Sequence, residues 1–324
     1  MFRKLFLSLA AAGLVLASAA QSTRAEAATT LAVGTLAPKG SPWMNKFVEF
    51  SDKVKSETGG DIILDFRTYS DEPTMVGDID KGILAGGAMT AVGLSKIYMD
   101  VLIFQLPGLF DNWAKLDSAR NQMKGSLDTA FGAKGYTVLG WGDVGAAKIF
   151  TNGYEAKVPN DLKGKGCYVI QGDPIGQAFW AKLGNTPATV TVPEIFMGIQ
   201  KTISVVVAPP LVAEQFQWSS KLDTITPITA GFGIGALVFK TSAVPADKLQ
   251  VIKDRGKDAA AALTSSIRTA DGQAFARLKA RKKIVELTAD EKAQWTAMFK
   301  EVRTQLRGTL FTAATFDTIV GYAK

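Results

Sequence analysis

Apolar residues recur along this chain in two alternating rhythms, one suited to strands and one to helices. Residues 30–34 read as a first strand, followed by the turn APKGSPW. Trp43, Phe47, Phe50 and Val54 then repeat at helical spacing until Gly59-Gly60 ends the run. DIILDFRTY, from Asp61, has the β-branched and aromatic content of a second strand. A helix over about residues 74–84 puts Met75, Ile79 and Ile83 on one face, and GGAMTAVGL, from Gly86, predicts a returning strand. Strands separated by helices imply parallel pairing, because parallel neighbours need crossover connections.

The rhythm repeats further along. YTVLGWGD and AKIFTNG predict two strands, and Cys-Tyr-Val-Ile from Cys167 a third, closed by Gly-Asp-Pro. Residues 174–183 predict a helix, ATVTV a strand, and residues 193–200 a helix with proline in its first turn. ISVVVAPP, from Ile203, is nearly continuous in apolar residues, as expected of a strand covered on both faces. After GALVFKTS the pattern turns helical to the end. Thr288-Ala-Asp-Glu291 is a capping box opening a helix that carries Trp295, Met298, Val302 and Leu306. Two α/β units followed by long helices describe a two-lobed, ligand-clasping protein, with the cleft between the lobes as its expected site.

Composition narrows the chemistry. MFRK, the apolar run LFLSLAAAGLVLASAA and the small-x-small Ala25-Glu26-Ala27 predict a cleaved secretory signal peptide over residues 1–27. No cysteine follows the apolar run, which argues against a lipid anchor. Without that segment, which holds Arg3, Lys4, Arg24 and Glu26, 34 basic and 29 acidic residues remain. The charges are interspersed, which speaks for ordinary solubility and against nucleic-acid binding. With no histidine and one cysteine, Cys167, zinc sites and His-dependent triads are excluded. No cofactor, no catalytic constellation and no metal site is expected; Asp78-Ile-Asp80 lacks the rest of a calcium loop and reads as a solvated helix face.

Three segments carry a family resemblance: GGAMTAVGLS with IFQLPGLF, the DLKG at Asp161, and the run from LGNTPATVTVPEIFMGIQ into ISVVVAPPL. With these, the chain resembles the dicarboxylate-binding (DctP-type) solute-binding proteins of TRAP transporters. The resemblance implies an α/β type II periplasmic-binding (clamshell) fold whose long C-terminal helices bridge the lobes. It places lobe I at residues 28–145 and 234–275, and lobe II at 146–233 and 276–324. It further implies a periplasmic, monomeric receptor in a Gram-negative bacterium, which delivers a small molecule to ion-gradient-driven permease subunits and in some branches works with a TPR lipoprotein.

The family's carboxylate-clamping arginine, just after DLKG, falls on Tyr168, and no arginine lies between Arg120 and Arg255. A second arginine position falls on Ala147, beside Lys148. Polar positions after the first and third strands fall near Leu36 and Leu94, and the ligand-stacking aromatic on Val192. The polar segment after the later helix reads Val205 to Pro209. Trp43 is an added candidate contact. Polar contacts exchanged for apolar ones predict a hydrophobic or amphipathic ligand. Three alternatives stay open: a filled, non-binding cleft, a carrier of lipids or other hydrophobes that has no TRAP permease, and a monocarboxylate binder using Lys148. Tyr168 itself is either a cleft residue or a core strand residue, while Cys167 is expected to be an inert buried side chain on the opposite face.

Overall fold

The computed structural model of the protein describes residues 28–323; the expected signal peptide, residues 1–27, lies outside the described residues. Strand β1 (Thr29–Thr35) leads into helix α1 (Pro42–Glu57). Ser41 caps α1 by accepting the Met44 N–H at 3.2 Å, and Pro42 sits in its first turn. Gly59 and Gly60, both at positive φ, stop it where the sequence pattern stops. Strand β2 (Ile62–Thr68), helix α2 (Glu72–Asp80) and strand β3 (Gly86–Thr90) follow, with β2 and β3 each parallel to β1.

Two expectations here need correction. The strand read into GGAMTAVGL ends at Thr90, whose hydroxyl accepts the Val92 N–H and starts the short helix α3 (Ala91–Leu94). Ile83 is 53% exposed rather than part of a buried face. Helix α2 has already ended at Asp80, and Gly82 at φ +76° turns the chain so that Leu84 goes inside instead. Asp78 and Asp80 are engaged by side chains: Asp78 accepts from Tyr69, and Asp80 from Tyr136 and Lys240.

Helix α4 (Trp113–Ala133) precedes β4 (Tyr136–Thr151), one continuous strand where the sequence suggests two. Register shifts near Gly140, Gly145 and Lys148 bend β4 without breaking it, which is why its apolar pattern looks interrupted. Then come β5 (Tyr168–Ile170), α5 (Pro174–Lys182), β6 (Ala188–Val190), α6 (Val192–Ile199), β7 (Val205–Ala208), α7 (Pro210–Gln215) and β8 (Thr224–Lys240). The chain closes with α8 (Leu249–Lys279), the two-residue β9 (Lys283–Ile284), α9 (Ala289–Leu306) and α10 (Ala313–Tyr322). Thr288 and Glu291 form the predicted reciprocal cap of α9.

The main sheet runs β2-β1-β3-β8-β4-β7, and β5-β6 form a separate parallel pair. The β1–β3 part is parallel, as is the short β9 on β8; β8 pairs antiparallel with β3 and β4, and β4 antiparallel with β7. The long strands β4 and β8 therefore serve both halves of the sheet. The 31-residue α8 crosses behind them, packing on α1, β4 and α7. Helix α9 packs on α5 while α10 packs on α4, so the C-terminal helices bridge the two lobes. Cys167 is a free buried thiol whose cluster differs from that of Tyr168, as strand alternation requires.

Candidate ligand-binding site

The crossing strands converge on a backbone that only glycine can supply. Gly145 has φ +140°, and a Cβ there would stand 2.5 Å from Cβ of Pro209. Beside it, the Asp271 carboxylate of α8 accepts the Ala146 N–H at 3.1 Å and the Leu211 N–H at 2.9 Å. One buried side chain thus ties the crossing strand, the start of α7 and the bridging helix together. Burial raises the Asp271 carboxyl above its ordinary range against the pull of those two N–H groups.

On the opposite lip the lobes touch. The Ser70 carbonyl accepts the Val192 N–H at 3.3 Å, and the Gly172 turn abuts Lys96 so closely that a Cβ would lie 2.9 Å from its Cε. Hinge and lip enclose a cavity of about 340 Å³ at the carboxyl ends of the strands.

Six of the nine sequence-selected residues wall this cavity: Leu36, Trp43, Ala147, Tyr168, Val192 and Pro209. Trp43 is anchored by its indole N–H, which donates to the Asp143 carbonyl at 3.4 Å. Tyr168 is 6% exposed, and its ring meets Trp218 edge-on at 6.4 Å. It combines the two readings the sequence left open, being packed in a core cluster and part of the wall.

The other three lie elsewhere. Leu94 is fully buried in α3, because the chain turns into that helix after Thr90 and carries it past the cleft. Val205 is fully buried at the far end of β7, whereas Val207 and Ala208, nearer the carboxyl end, reach the wall. Lys148 points away from its neighbour Ala147: its Nζ donates to Thr229 Oγ1 at 2.6 Å and lies 5.5 Å from the Phe275 ring centre. Burial lowers its ammonium pKa while Asp271 pulls it the other way.

The wall carries more acidic than basic side chains. Lys46 is its single basic residue among the described residues, and its Nζ is 2.8 Å from Glu49. Three carboxyl groups line the same space: Glu72, Asp143 and Asp173. Asp143 lies between Arg120 at 2.8 Å and Arg268 at 2.6 Å. Glu72 accepts from the Thr90 N–H at 2.5 Å, the Thr90 hydroxyl at 2.7 Å and the Gly93 N–H at 2.8 Å. Asp173 caps α5, accepting the Ile175 and Gly176 N–H groups at 3.0 Å. Sequence reasoning read Asp173 only as part of a strand stop. Its place in the turn that follows the carboxyl end of β5 was the available signal.

Burial pushes the Glu72 carboxyl up to about 7, even with three donors pulling it down. A carboxyl whose folded pKa is raised contributes stability that is fully present below its unfolded value near 4.5 and is lost as pH rises through about 7. Carbon-13 NMR of the side-chain carboxyls is expected to find Glu72 titrating near 7. Unfolding free energy should fall by an amount on the order of 3 kcal/mol over the same window. A Glu72 midpoint near 4.5 would contradict this.

Comparison with known proteins agrees with this architecture. The chain superimposes on the TRAP periplasmic solute binding protein of Shewanella oneidensis, solved with bound succinate, at TM-score 0.84 and 18% identity, covering 92% of this chain and 100% of that one. The Ralstonia eutropha H16 protein with bound (S)-2-acetolactate gives TM-score 0.83 at 17% identity, covering 91% and 98%. The sugar acid binding protein of Advenella mimigardefordensis, in complex with galactonate, gives 0.84 at 17% identity, again covering 91% and 98%. At these identities the likeness shows the fold: α/β and two-lobed. An uncharacterized Sinorhizobium fredii protein, y4mM, is 25% identical over 202 residues, or 60% of this chain, and the match spans 37% of that relative's length. Residues 33–307 match the bacterial extracellular solute-binding proteins of family 7, the DctP family. The chain therefore belongs to the DctP family of bacterial extracellular solute-binding proteins.

Proposed function

We propose that this protein is the periplasmic receptor of a TRAP-type transporter and that it clasps a hydrophobic or amphipathic small molecule. Export follows from the signal peptide expected at residues 1–27. The lobes divide near residues 145/146 and 233/234, with residues 28–145 and 234–275 forming the first and residues 146–233 and 276–324 the second. Closure around the ligand is a hinge motion, which the ligand shifts by binding the closed state better. Delivery is to ion-gradient-driven permease subunits, with a TPR lipoprotein as a further partner, and the receptor acts as a monomer.

One observation carries the ligand class: the wall holds no arginine among the described residues, its one lysine is paired with Glu49, and apolar side chains occupy the clamp positions. Burying apolar ligand surface there contributes roughly 25 cal/mol per Å², whereas an unpaired carboxylate would lose its hydration without compensation. The acids bound by the solved relatives favour a second reading, a small carboxylic acid. A carrier without a permease is the third, and absence of permease genes beside this one would favour it.

A thermal-shift panel on refolded protein separates the first two. Apolar and amphipathic compounds are expected to raise Tm by several degrees at saturating concentration, because a ligand at about 100 Kd adds roughly 2.7 kcal/mol. Succinate and pyroglutamate should leave Tm unchanged. Acids that raise Tm while no apolar compound does would overturn the proposal.

A further inference from the structure

The reading just given names a ligand body; the wall also says something about its head. Of the three carboxyl groups facing the cavity, Glu72 and Asp143 have both oxygens engaged by donors of the protein. Asp173 differs. Its Oδ1 accepts both cap N–H groups, leaving Oδ2 over. A Cβ at position 176 would stand 2.6 Å from that oxygen, so Gly176 keeps it uncovered. Five residues earlier, Tyr168 walls the same space, and its hydroxyl has no hydrogen-bond partner among the described residues although the residue is 94% buried by its 6% exposure. The Asp173 charge is near enough to add to burial in raising the Tyr168 phenol above its ordinary range. Asp173 is itself raised by burial, against the pull of its two cap N–H groups.

A donor on the buried Tyr168 and an acceptor on the half-buried Asp173, both on the cavity wall and without a protein partner among the described residues, gain hydrogen bonds when a ligand meets them. Tyr168 can donate one hydrogen bond, and Asp173 can only accept while ionised. A ligand carboxylate would meet the first favourably and the second as a like charge. A head with its own O–H or N–H satisfies both.

We infer that Tyr168 and Asp173 form a head-group subsite for an amphiphile carrying a hydrogen-bond donor, a hydroxyl or an amine, and that Asp173 excludes carboxylates. This rests on the apolar-ligand reading above. It reassigns the start of β5, where the family resemblance implies an acid clamp, to selection against acids.

Calorimetric titration with 1-octanol, octylamine and octanoate tests it, since the three share one apolar body and differ in the head. Octanol or octylamine is expected to bind at least about tenfold tighter than octanoate. The order of those two distinguishes a neutral from a cationic head. Asp173→Asn keeps a capping oxygen, so the helix is retained while octanoate gains about tenfold. Tyr168→Phe keeps the ring and should weaken the donor-headed compounds by about five- to tenfold. Octanoate binding as tightly as octanol, or discrimination unchanged in Asp173→Asn, overturns the subsite and leaves the apolar cavity standing. Failure of all three compounds to bind overturns the apolar-ligand reading and the subsite with it.

Discussion

Asp143→Ala is expected to lower the unfolding free energy by about 3–5 kcal/mol. The Asp143 side chain is fully buried between Arg120 Nη1 at 2.8 Å and Arg268 Nε at 2.6 Å. The same two arginines hold Asp117, and Arg268 lies 4.4 Å from the centre of the Trp113 ring. Removing Asp143 leaves two largely buried guanidinium groups sharing one partly exposed carboxylate. The cost is chiefly that of the stranded cations, so Asp143→Ala combined with Arg120→Met should recover part of the loss. Asp117→Ala, at a carboxylate 35% exposed, should cost less. Burial would raise the Asp117 carboxyl, but Arg268 and Arg120 outweigh it and hold it below the ordinary range. Its contribution is therefore present above the unfolded value of about 3.9 and is lost as pH falls through the folded one. Denaturant unfolding measures these differences, and a loss below about 1 kcal/mol for Asp143→Ala would contradict the account. The network joins α4, β4 and α8 directly behind the cavity, and the Asp143 carbonyl anchors Trp43, so the variant should also loosen the site.

The second large effect concerns binding. Ala147→Trp places an indole in a cavity of about 340 Å³ and should weaken an apolar ligand by about a hundredfold, which corresponds to roughly 2.7 kcal/mol. Because the indole occupies space meant for ligand, Tm should hold or rise, unlike the 1–3 kcal/mol cost of overpacking a filled core. Lys148→Ala is the control. Its ammonium is engaged with Thr229 outside the wall, so apolar affinity should change by less than about twofold. Abolished binding in Lys148→Ala would revive the monocarboxylate reading.

The outline of the fold was legible because its signals are local. Ser41-Pro42, the Gly59-Gly60 stop and the Thr288–Glu291 box each close hydrogen bonds within a few residues. The antiparallel half of the sheet was not legible, because β8 joins β3 and β4 across at least 73 residues, the spacing of Thr151 and Thr224, and nothing short-range encodes that choice. Strand β4 looked like two strands because its bulges interrupt the alternation that periodicity depends on.

The site divides in the same way. Ala147, Tyr168 and Val192 could be selected because the family resemblance implies a contact at each, and the later part of β4, the start of β5 and the start of α6 bring them together. Lys148 and Leu94 failed by one residue of strand alternation and by one helical turn, and no composition argument resolves either. Asp173 was hidden because an Asp-Pro pair explains itself as a helix cap. Only the uncovered Oδ2, visible once Gly176 and Tyr168 are placed around it, gives the residue a second role.

The central claim is that the inter-lobe cavity holds an apolar or amphipathic molecule instead of a small acid. Native mass spectrometry of the protein purified from the periplasm of its own host, followed by organic-solvent extraction, tests it most directly. The account predicts one bound molecule that partitions into the organic phase and is absent from Ala147→Trp. A protein that carries nothing extractable and binds succinate tightly would contradict it.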